Sequence, residues 1–399
     1  MGPEERGPAP DVLVVGGGIV GLFCAYHLRA AGHTVALVER HAVGDARSCS
    51  SGNTGFVGTQ GAAPLASPSG PRPFSVRPRL DPDLWRWYRR YRRAGTAEAY
   101  ARGCAVLLEL KRRSLAILRA VCASGPLADT FSDTGMVLAY RTAEAYGAAL
   151  RTRPAGVPLR VLEPAEIPGL SVAGALLNPD GGYLRVPEFL RAFAATLDIE
   201  WHEGVTVDGF STVDGRVTAV RTSRGDLRPG EVVIAAGSWS AACAALLGVR
   251  LPLVPLKGYA VTVKAPPDDS PQWPVVLSED RMAVAPLGDR VRIAGSLELA
   301  GFDGRISAPR LDALRRAAAA YVPALADVEP IEIWHGFRPT TPDSIPYVGR
   351  PPGYHNVSIA CGGGHIGMGL APAMGALAAQ LVSGGRPDLD LAPLRVGRS

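Results

Sequence analysis

The stretch DVLVVGGGIVGLFCAYHLRAAGHTVALVER, residues 11–40, constrains the fold of this 399-residue chain more than any other. Val12–Val15 is an apolar run of strand length, and Gly16, Gly18 and Gly21 follow at once. Ile19, Leu22, Ala25 and Leu28 then recur at helical spacing, Gly32 stops the helix, and a second apolar run over 35–38 ends at Glu39. Strand, tight turn, helix and second strand in this order form the first unit of a nucleotide-binding α/β fold. Gly16 permits the turn, Gly18 lets a pyrophosphate touch backbone, and Gly21 lets helix and strand pack closely. The helix N-terminus offers free N–H groups and a positive dipole end to the phosphates. Glu39 is placed to accept hydrogen bonds from ribose hydroxyls, and an acid there disfavours a 2′-phosphate. The pattern predicts an ADP-containing cofactor without separating NAD from FAD.

A second Gly-x-Gly-x-x-Gly lies in ACGGGHIGMG, residues 360–369. It follows another short strand and enters another helix, but only a short tail remains after that helix, so a second nucleotide half cannot be built there. One reading is a turn that aims a helix N-terminus at the N1/C2=O edge of a flavin, where negative charge gathers on reduction. The other is a plain strand-to-helix turn.

Composition narrows the class. With 47% hydrophobic residues the chain can bury a sizeable core. Its net charge of +5 reads as a slightly basic solvated surface, with nothing pointing to nucleic acid. Six cysteines, at 24, 49, 104, 122, 243 and 361, show neither C-x-x-C nor Cys/His ligand spacing, which argues against a disulfide framework or a zinc site and favours a reducing, cytoplasmic setting. The start, MGPEERGPAP, lacks the positive region of a signal peptide, and no stretch approaches the roughly 20 apolar residues of a membrane span. The segment LWRWYRRYRR, residues 84–93, has two readings. It is a candidate for peripheral contact with the inner face of the plasma membrane or with a partner; alternatively its aromatics pack on the sheet while its arginines reach water.

Two more segments are rich in small residues: RSCSSGNTGF, 47–56, and EVVIAAGSWS, 231–240. In this order the segments resemble the D-amino acid oxidase-like FAD oxidoreductases, which include glycine oxidase, sarcosine oxidase and bacterial D-amino acid dehydrogenases, the last branch most of all. The resemblance covers nearly the whole chain, through the N-terminal fingerprint, SSGNTGF, GGYLRVPEFLRAF, VVIAAGSWS, PLKGYAVTV, RIAGSLELAGFD and WHGFRPTTPDSIPYVG. It implies an α/β (α+β) chain with a Rossmann-like FAD-binding domain and a discontinuous mixed-sheet substrate domain, as in D-amino acid oxidase and glutathione reductase. The first is expected over 1–60, 160–248 and 330–399, the second over 61–159 and 249–329. Helical pattern runs through residues 81–121 and 310–322, alternating patterns such as GYAVTVKA and RVRIAG predict antiparallel strands, and Asp214-Gly215 marks a hairpin turn in a meander. GAAPLASPSGPRP, 61–73, reads as an exposed loop.

The resemblance also implies one FAD and no nicotinamide site. Its expected contacts are Gly16, Gly18, Ile19, Val20, Gly21, Glu39, Arg40, Ser50, Ser51, Asn53, Thr54, Gly55, Val205, Ala236, Gly237, Trp239, Gly363, Gly364, His365, Ile366, Gly367 and Met368. Sarcosine oxidases attach flavin through a Cys just upstream of Thr-Pro-Asp, which this chain lacks; Cys49 and Cys361 read as small buried hydrophobes, so dissociable FAD is expected and no metal.

An amine-oxidising flavoprotein must hold the substrate carboxylate, exclude water and accept a neutral amine. An Arg suits the carboxylate because its planar fork binds two oxygens at once. In the family an Arg in the HGFRPTTPD motif does this, which carries over to Arg338. Tyr259 is a candidate for a phenolic bond to the same carboxylate, the alternative being plain packing; Lys257 and Arg292 are candidates for charges near the flavin. His335 and His365 fall within or beside the motifs and would matter to a 2-hydroxy acid, which needs a base for its hydroxyl proton. Relatives usually read Gly-His-Gly where this chain has Gly363, with histidine two places later at 365. The expected reaction is oxidation of a D-amino acid, or of a proline-like or N-alkyl amino acid, to an imine or 2-oxo acid, with oxygen or a quinone as electron acceptor. A 2-hydroxy acid dehydrogenase and an electron-relay subunit of a larger complex are the alternatives, and oligomeric state stays open.

Overall fold

The computed structural model describes residues 9–69, 72–153, 157–266 and 270–398. Residues 1–8 of the polar start and residues 70 and 71 of the loop at 61–73 lie outside the described residues.

Six strands form the first sheet, in the order Glu200–Glu203, Val35–Glu39, Val12–Val15, Glu231–Ile234, Val357–Cys361 and Tyr347–Gly349. The first five run parallel and the last pairs antiparallel. Strands covered on both faces read as unbroken apolar runs. In Val12–Val15, accordingly, Val12 and Val14 pack into one core while Leu13 and Val15 pack into another. Helices Ile19–Ala30 and Ala371–Val382 fill the first core and approach so closely that a Cβ on Gly375 would come within 2.6 Å of Phe23. A three-stranded antiparallel sheet, Val207–Val213, Arg216–Thr222 and Gly225–Leu227, covers the second. Its first turn has positive φ at both Asp214 and Gly215, 46° and 73°, as a two-residue Asp-Gly hairpin requires.

A nine-stranded mixed sheet forms the second layer. Eight strands follow the order Pro330–Thr340, Val254–Lys264, Arg290–Leu299, Met282–Leu287, Val275–Leu277, Met136–Tyr140, Gly174–Asn178 and Arg160–Leu162, and Ser75–Val76 pairs with Arg290–Leu299. Strands at 160–162, 174–178 and 330–340 therefore join this layer, although they fall inside the segments expected to bind FAD. Pro330–Thr340 pairs along its length with Val254–Lys264, and the chain beyond it enters the first sheet, so this strand ties the layers together. Helix Ala308–Tyr321 closes an apolar core on one face of the sheet.

Residues 81–121 fold as two helices. Asp81 caps Pro82–Ala94, its carboxylate accepting from the N–H groups of Asp83 and Leu84; Thr96 then caps Ala97–Val121. In the first helix Leu84, Trp87 and Tyr91 are buried, Trp87 donating to the carbonyl of Thr340 and Tyr91 to that of Leu65, both at 2.9 Å. All five arginines of 84–93 are exposed, as is about half of Trp85. No helix among the described residues is long and apolar enough to cross a membrane. The loop at 61–73 is less exposed than expected: Leu65 and Ala66 are buried because Ser344 accepts the Leu65 N–H and Tyr91 donates to its carbonyl, which satisfies a backbone that would otherwise need water.

Candidate active site

Between the two sheets lies a cavity of about 1770 Å³, compared with about 300–1,000 Å³ for ordinary small-ligand sites. It has room for a large cofactor and a substrate together.

At one end the first strand–turn–helix unit forms a phosphate cradle. Gly16 has φ +111°, and a Cβ there would come within 2.6 Å of the Ala235 carbonyl, so the turn and the neighbouring strand meet backbone to backbone. Gly18, Ile19 and Val20 line the cavity, and the helix that starts there has no side-chain cap. Ser50 Oγ accepts the Ile19 N–H at 3.2 Å. Glu39 ends its strand at the cavity wall, with one carboxylate oxygen accepting from Gly17 N at 2.7 Å and the other from His41 N at 3.1 Å. Two fixed backbone donors hold the carboxylate where ribose hydroxyls would reach it. Arg40 lies 3.6 Å above the Trp239 ring, and Val205, Ala236 and Gly237 complete this end. A glycine cradle, a helix start whose N-cap residue is glycine and a held acid fit the ADP half of a dinucleotide.

At the other end strand alternation decides what faces inward. Trp334, Gly336 and Arg338 stand on the cavity side of Pro330–Thr340. Trp334 lies between Gly52 and Gly336, where a Cβ on either would fall 2.0 Å from the indole, and donates to the Ala46 carbonyl at 2.8 Å. The Arg338 guanidinium lies across Gly258 so closely that a Cβ there would sit 1.4 Å from Nη1. That Nη1 is buried and has no hydrogen-bond partner, and no acidic group among the described residues pairs with the guanidinium. Burial pulls its pKa down to about 10. His365 lines the same space, and burial, with Arg338 and Lys111 nearby, holds it down to about 3, so it is neutral at working pH. Lys111 also lines the cavity; burial alone pulls it down to about 8.

These observations define an α/β protein with a dinucleotide cradle and a buried, unpaired guanidinium in the same cavity. The chain belongs to the FAD dependent oxidoreductase (DAO) family, whose model matches residues 11–381. It is 33% identical to the D-amino acid dehydrogenases of Methylobacterium radiotolerans and Granulibacter bethesdensis, in each case over 97% of this chain and 99% of the relative. Among solved structures it is similar to glycine oxidase from Geobacillus kaustophilus, with TM-score 0.78, 27% identity, and coverage of 98% of this chain and 99% of that one. Its fold also matches that of an L-proline dehydrogenase from P. horikoshii, with TM-score 0.72 and 21% identity over 96% of each chain. The protein is thus an FAD-dependent oxidoreductase, and residues of the second glycine cluster line the same cavity as those of the first.

Most expected contacts line the cavity: Gly16, Gly18, Ile19, Val20, Glu39, Arg40, Ser50, Asn53, Thr54, Val205, Ala236, Gly237, Trp239 and residues 363–368. Gly21, Ser51 and Gly55 stand behind it. A Cβ on Gly21 would lie 1.8 Å from the Gly16 carbonyl and one on Gly55 2.1 Å from that of Leu184, so both glycines serve close packing, while Ser51 Oγ donates to the Asp45 carbonyl. The second cluster does not run straight into its helix. A 3₁₀ turn, Gly364–Gly369, intervenes, and residues of that turn, rather than the first turn of Ala371–Val382, face the cavity.

Four charged or polar candidates point elsewhere. Tyr259 is buried in the core of the second sheet and donates to Glu298 at 3.0 Å, so its hydroxyl is engaged away from the cavity; burial and that carboxylate push it up to about 12. His335, its cross-strand partner, shares that face and packs edge-on against Phe337. Lys257 donates to the Arg305 carbonyl. Arg292 acts as a brace, donating to the carbonyls of Ser51 (2.8 Å) and Asn53 (3.3 Å) and to Glu332 (2.9 Å), which fixes the cofactor loop from behind. Lys111 was missed by sequence reasoning. Its signal was a lysine placed on the buried stripe of Leu107, Leu110, Ser114, Leu115 and Leu118.

Proposed function

We propose that the protein oxidises the α-carbon of an amino acid, either D-configured or a secondary amine, to an imine that water converts to a 2-oxo acid. The observation that carries this reading is Arg338: an enclosed guanidinium with an unsatisfied Nη1 and no acidic neighbour is a binding site for a carboxylate. FAD at the cofactor end supplies the acceptor for the α-hydrogen and two electrons. Arg338 fixes the substrate by its carboxylate, and the apolar walls keep water from the reacting carbon. The nitrogen lone pair becomes the new π bond as hydride leaves, and the amine proton goes to solvent. D-amino acid dehydrogenase relatives support the donor class.

Neutral His365 favours the amine over a 2-hydroxy acid. A histidine held near 3 is a weak base for a hydroxyl proton, whereas an amine that enters neutral needs none. A carboxylate anchor inside the cavity likewise favours direct oxidation over electron relay. Dissociable FAD accords with the cysteines: Cys49 Sγ accepts from Phe337 N at 3.3 Å, and buried Cys361 is pushed up to about 12, so neither offers a ready thiolate.

The test is anaerobic bleaching of the flavin absorbance by D- and L-amino acids, N-methyl amino acids, prolines and 2-hydroxy acids. Bleaching by one amine class is expected, and bleaching by hydroxy acids alone would overturn the reading. Arg338→Lys should keep its flavin and raise KM roughly tenfold to a hundredfold, since a charge-assisted hydrogen bond is worth about 1.5–3 kcal/mol. An unchanged KM would remove Arg338 from the site.

A further inference from the structure

Away from the cofactor end the cavity has a largely apolar sheet wall, with Tyr140, Ser278 and the exposed Arg281 also among its lining residues. Across the second sheet, Leu176, Leu138, Val276, Ala283 and Ala294 are register partners on five adjacent strands, and all five line the cavity. Residues alternate between sheet faces, so these form one transverse apolar row, opposite the face that buries Val137, Ala139, Ala175, Val275 and Leu277. Four strand spacings make the row about 19 Å long. Beyond its Ala294 end, the register continues through Ala260 to Trp334, on the strand that carries Arg338.

Helix Ala143–Arg151 forms the opposite wall. None of its residues is fully buried, and it presents Ala145, Ala148 and Ala149 to the cavity. Alanines spaced three and four apart on a helix put a strip of minimal side chains over the apolar row, which leaves the space between them open. Charge points the same way. Among the described residues lining the cavity, Glu39 is the one carboxylate, at the far end and already engaged by Gly17 and His41. A basic side chain entering here would find no partner and would lose its hydration.

We propose that this apolar chamber binds the side chain or N-substituent of the substrate, and that the enzyme acts on amino acids carrying a large, uncharged apolar group, aromatic or longer, in preference to glycine, alanine or basic amino acids. The proposal rests on Arg338 holding the carboxylate. It adds the chamber as the specificity element: the carboxylate is fixed at one end and the apolar group lies along the row beneath helix Ala143–Arg151. An apolar electron acceptor could use the same surface chemistry, and the two half-reactions distinguish the occupants.

The experiment is anaerobic stopped-flow reduction of the holoenzyme by glycine, alanine, valine, leucine, phenylalanine, tryptophan and lysine in both configurations, followed separately by reoxidation with a soluble quinone. The efficiency of flavin reduction should rise roughly fourfold for each methylene buried and be lowest for lysine. Ala148→Phe, which fills the chamber from its half-exposed helix, should lower the phenylalanine-to-alanine ratio of reduction efficiencies at least tenfold. Flavin content reports its folding, and Leu138→Ala provides a second variant in which the ratio should also fall. Independently, 3-phenylpropionate should raise the melting temperature of the wild-type holoenzyme more than acetate does at equal concentration. Preference for glycine or alanine, an unchanged ratio in both variants, or an effect confined to quinone reoxidation would overturn the proposal. Flavin that no amino acid reduces would instead defeat the amine-oxidation reading on which it rests.

Discussion

Lys111→Met isolates the energetics of the site, because methionine keeps the unbranched shape and removes the charge. In the folded chain burial alone pulls Lys111 from 10.5 to about 8, with no acidic neighbour to offset it. That difference corresponds to about 3 kcal/mol, and with the residue only 4% exposed, water relieves little of it. Between about 8 and 10.5 the unfolded chain binds the proton and the folded chain does not, so this group's contribution to stability rises with pH through that window. Below about 8 both states are protonated and the full penalty applies. Lys111→Met should therefore be the more stable protein by about 3 kcal/mol at pH 7, with the gap closing towards pH 10.5. For 399 residues, at about 2.1 cal/mol/K per residue, the gap is roughly 4 °C in Tm. Thermal melts of flavin-saturated parent and variant at pH 7 and pH 10 measure it, and a bound carboxylate should narrow it at pH 7 by offsetting the charge. A variant that melts at or below the parent temperature at pH 7, or a gap independent of pH, would refute an uncompensated buried ammonium.

Two further predictions concern the anchor. Gly258→Ala places a Cβ in the space of Arg338 Nη1 and must displace the guanidinium; a shift of about 1 Å at a positioning group can cost around a hundredfold, so KM for the amino acid should rise at least tenfold while flavin content holds, and unaltered kinetics would count against the contact. His365 is held near 3, so its imidazole does not titrate between pH 5 and 8, and His365→Gln should leave the shape of the pH profile of kcat/KM unchanged; loss of an inflection near pH 6 to 7 on substitution would show that the histidine titrates after all.

Residues 11–40 were legible because everything that fixes them is local: apolar runs of the right length, glycines at the turn and a helix stop within one covalent neighbourhood. That Arg338 lies in the cavity was legible from its motif. Tyr259 and His335 were misplaced although a simple rule was at hand. His335 is three residues from Arg338 on one strand, an odd spacing that puts it on the opposite face, and Tyr259 is its cross-strand partner and shares that face. Lys111 was hidden among the arginines and glutamates around it, and only its position relative to Leu107 and Leu115 sets it apart. The chamber could not be read at all, because its row joins residues 138, 176, 276, 283 and 294 through pairings that no local pattern specifies.

The charges of the cavity oppose folding and favour ligand. Arg40 rests on Trp239 and Glu39 is held by two backbone donors, so the cofactor end is internally balanced. Arg338 and Lys111 are not, and they add to the burial that keeps His365 neutral. Replacing either cation with an apolar side chain would relieve desolvation and stabilise the empty fold. The same low-dielectric surroundings that make an unpaired cation unfavourable strengthen its attraction for an incoming carboxylate, which is far weaker at a water-exposed arginine. If Arg338 binds the substrate as proposed, a protein that carries this penalty in its folded state would recover part of it when a carboxylate enters beside Gly258, where the guanidinium already lies in place.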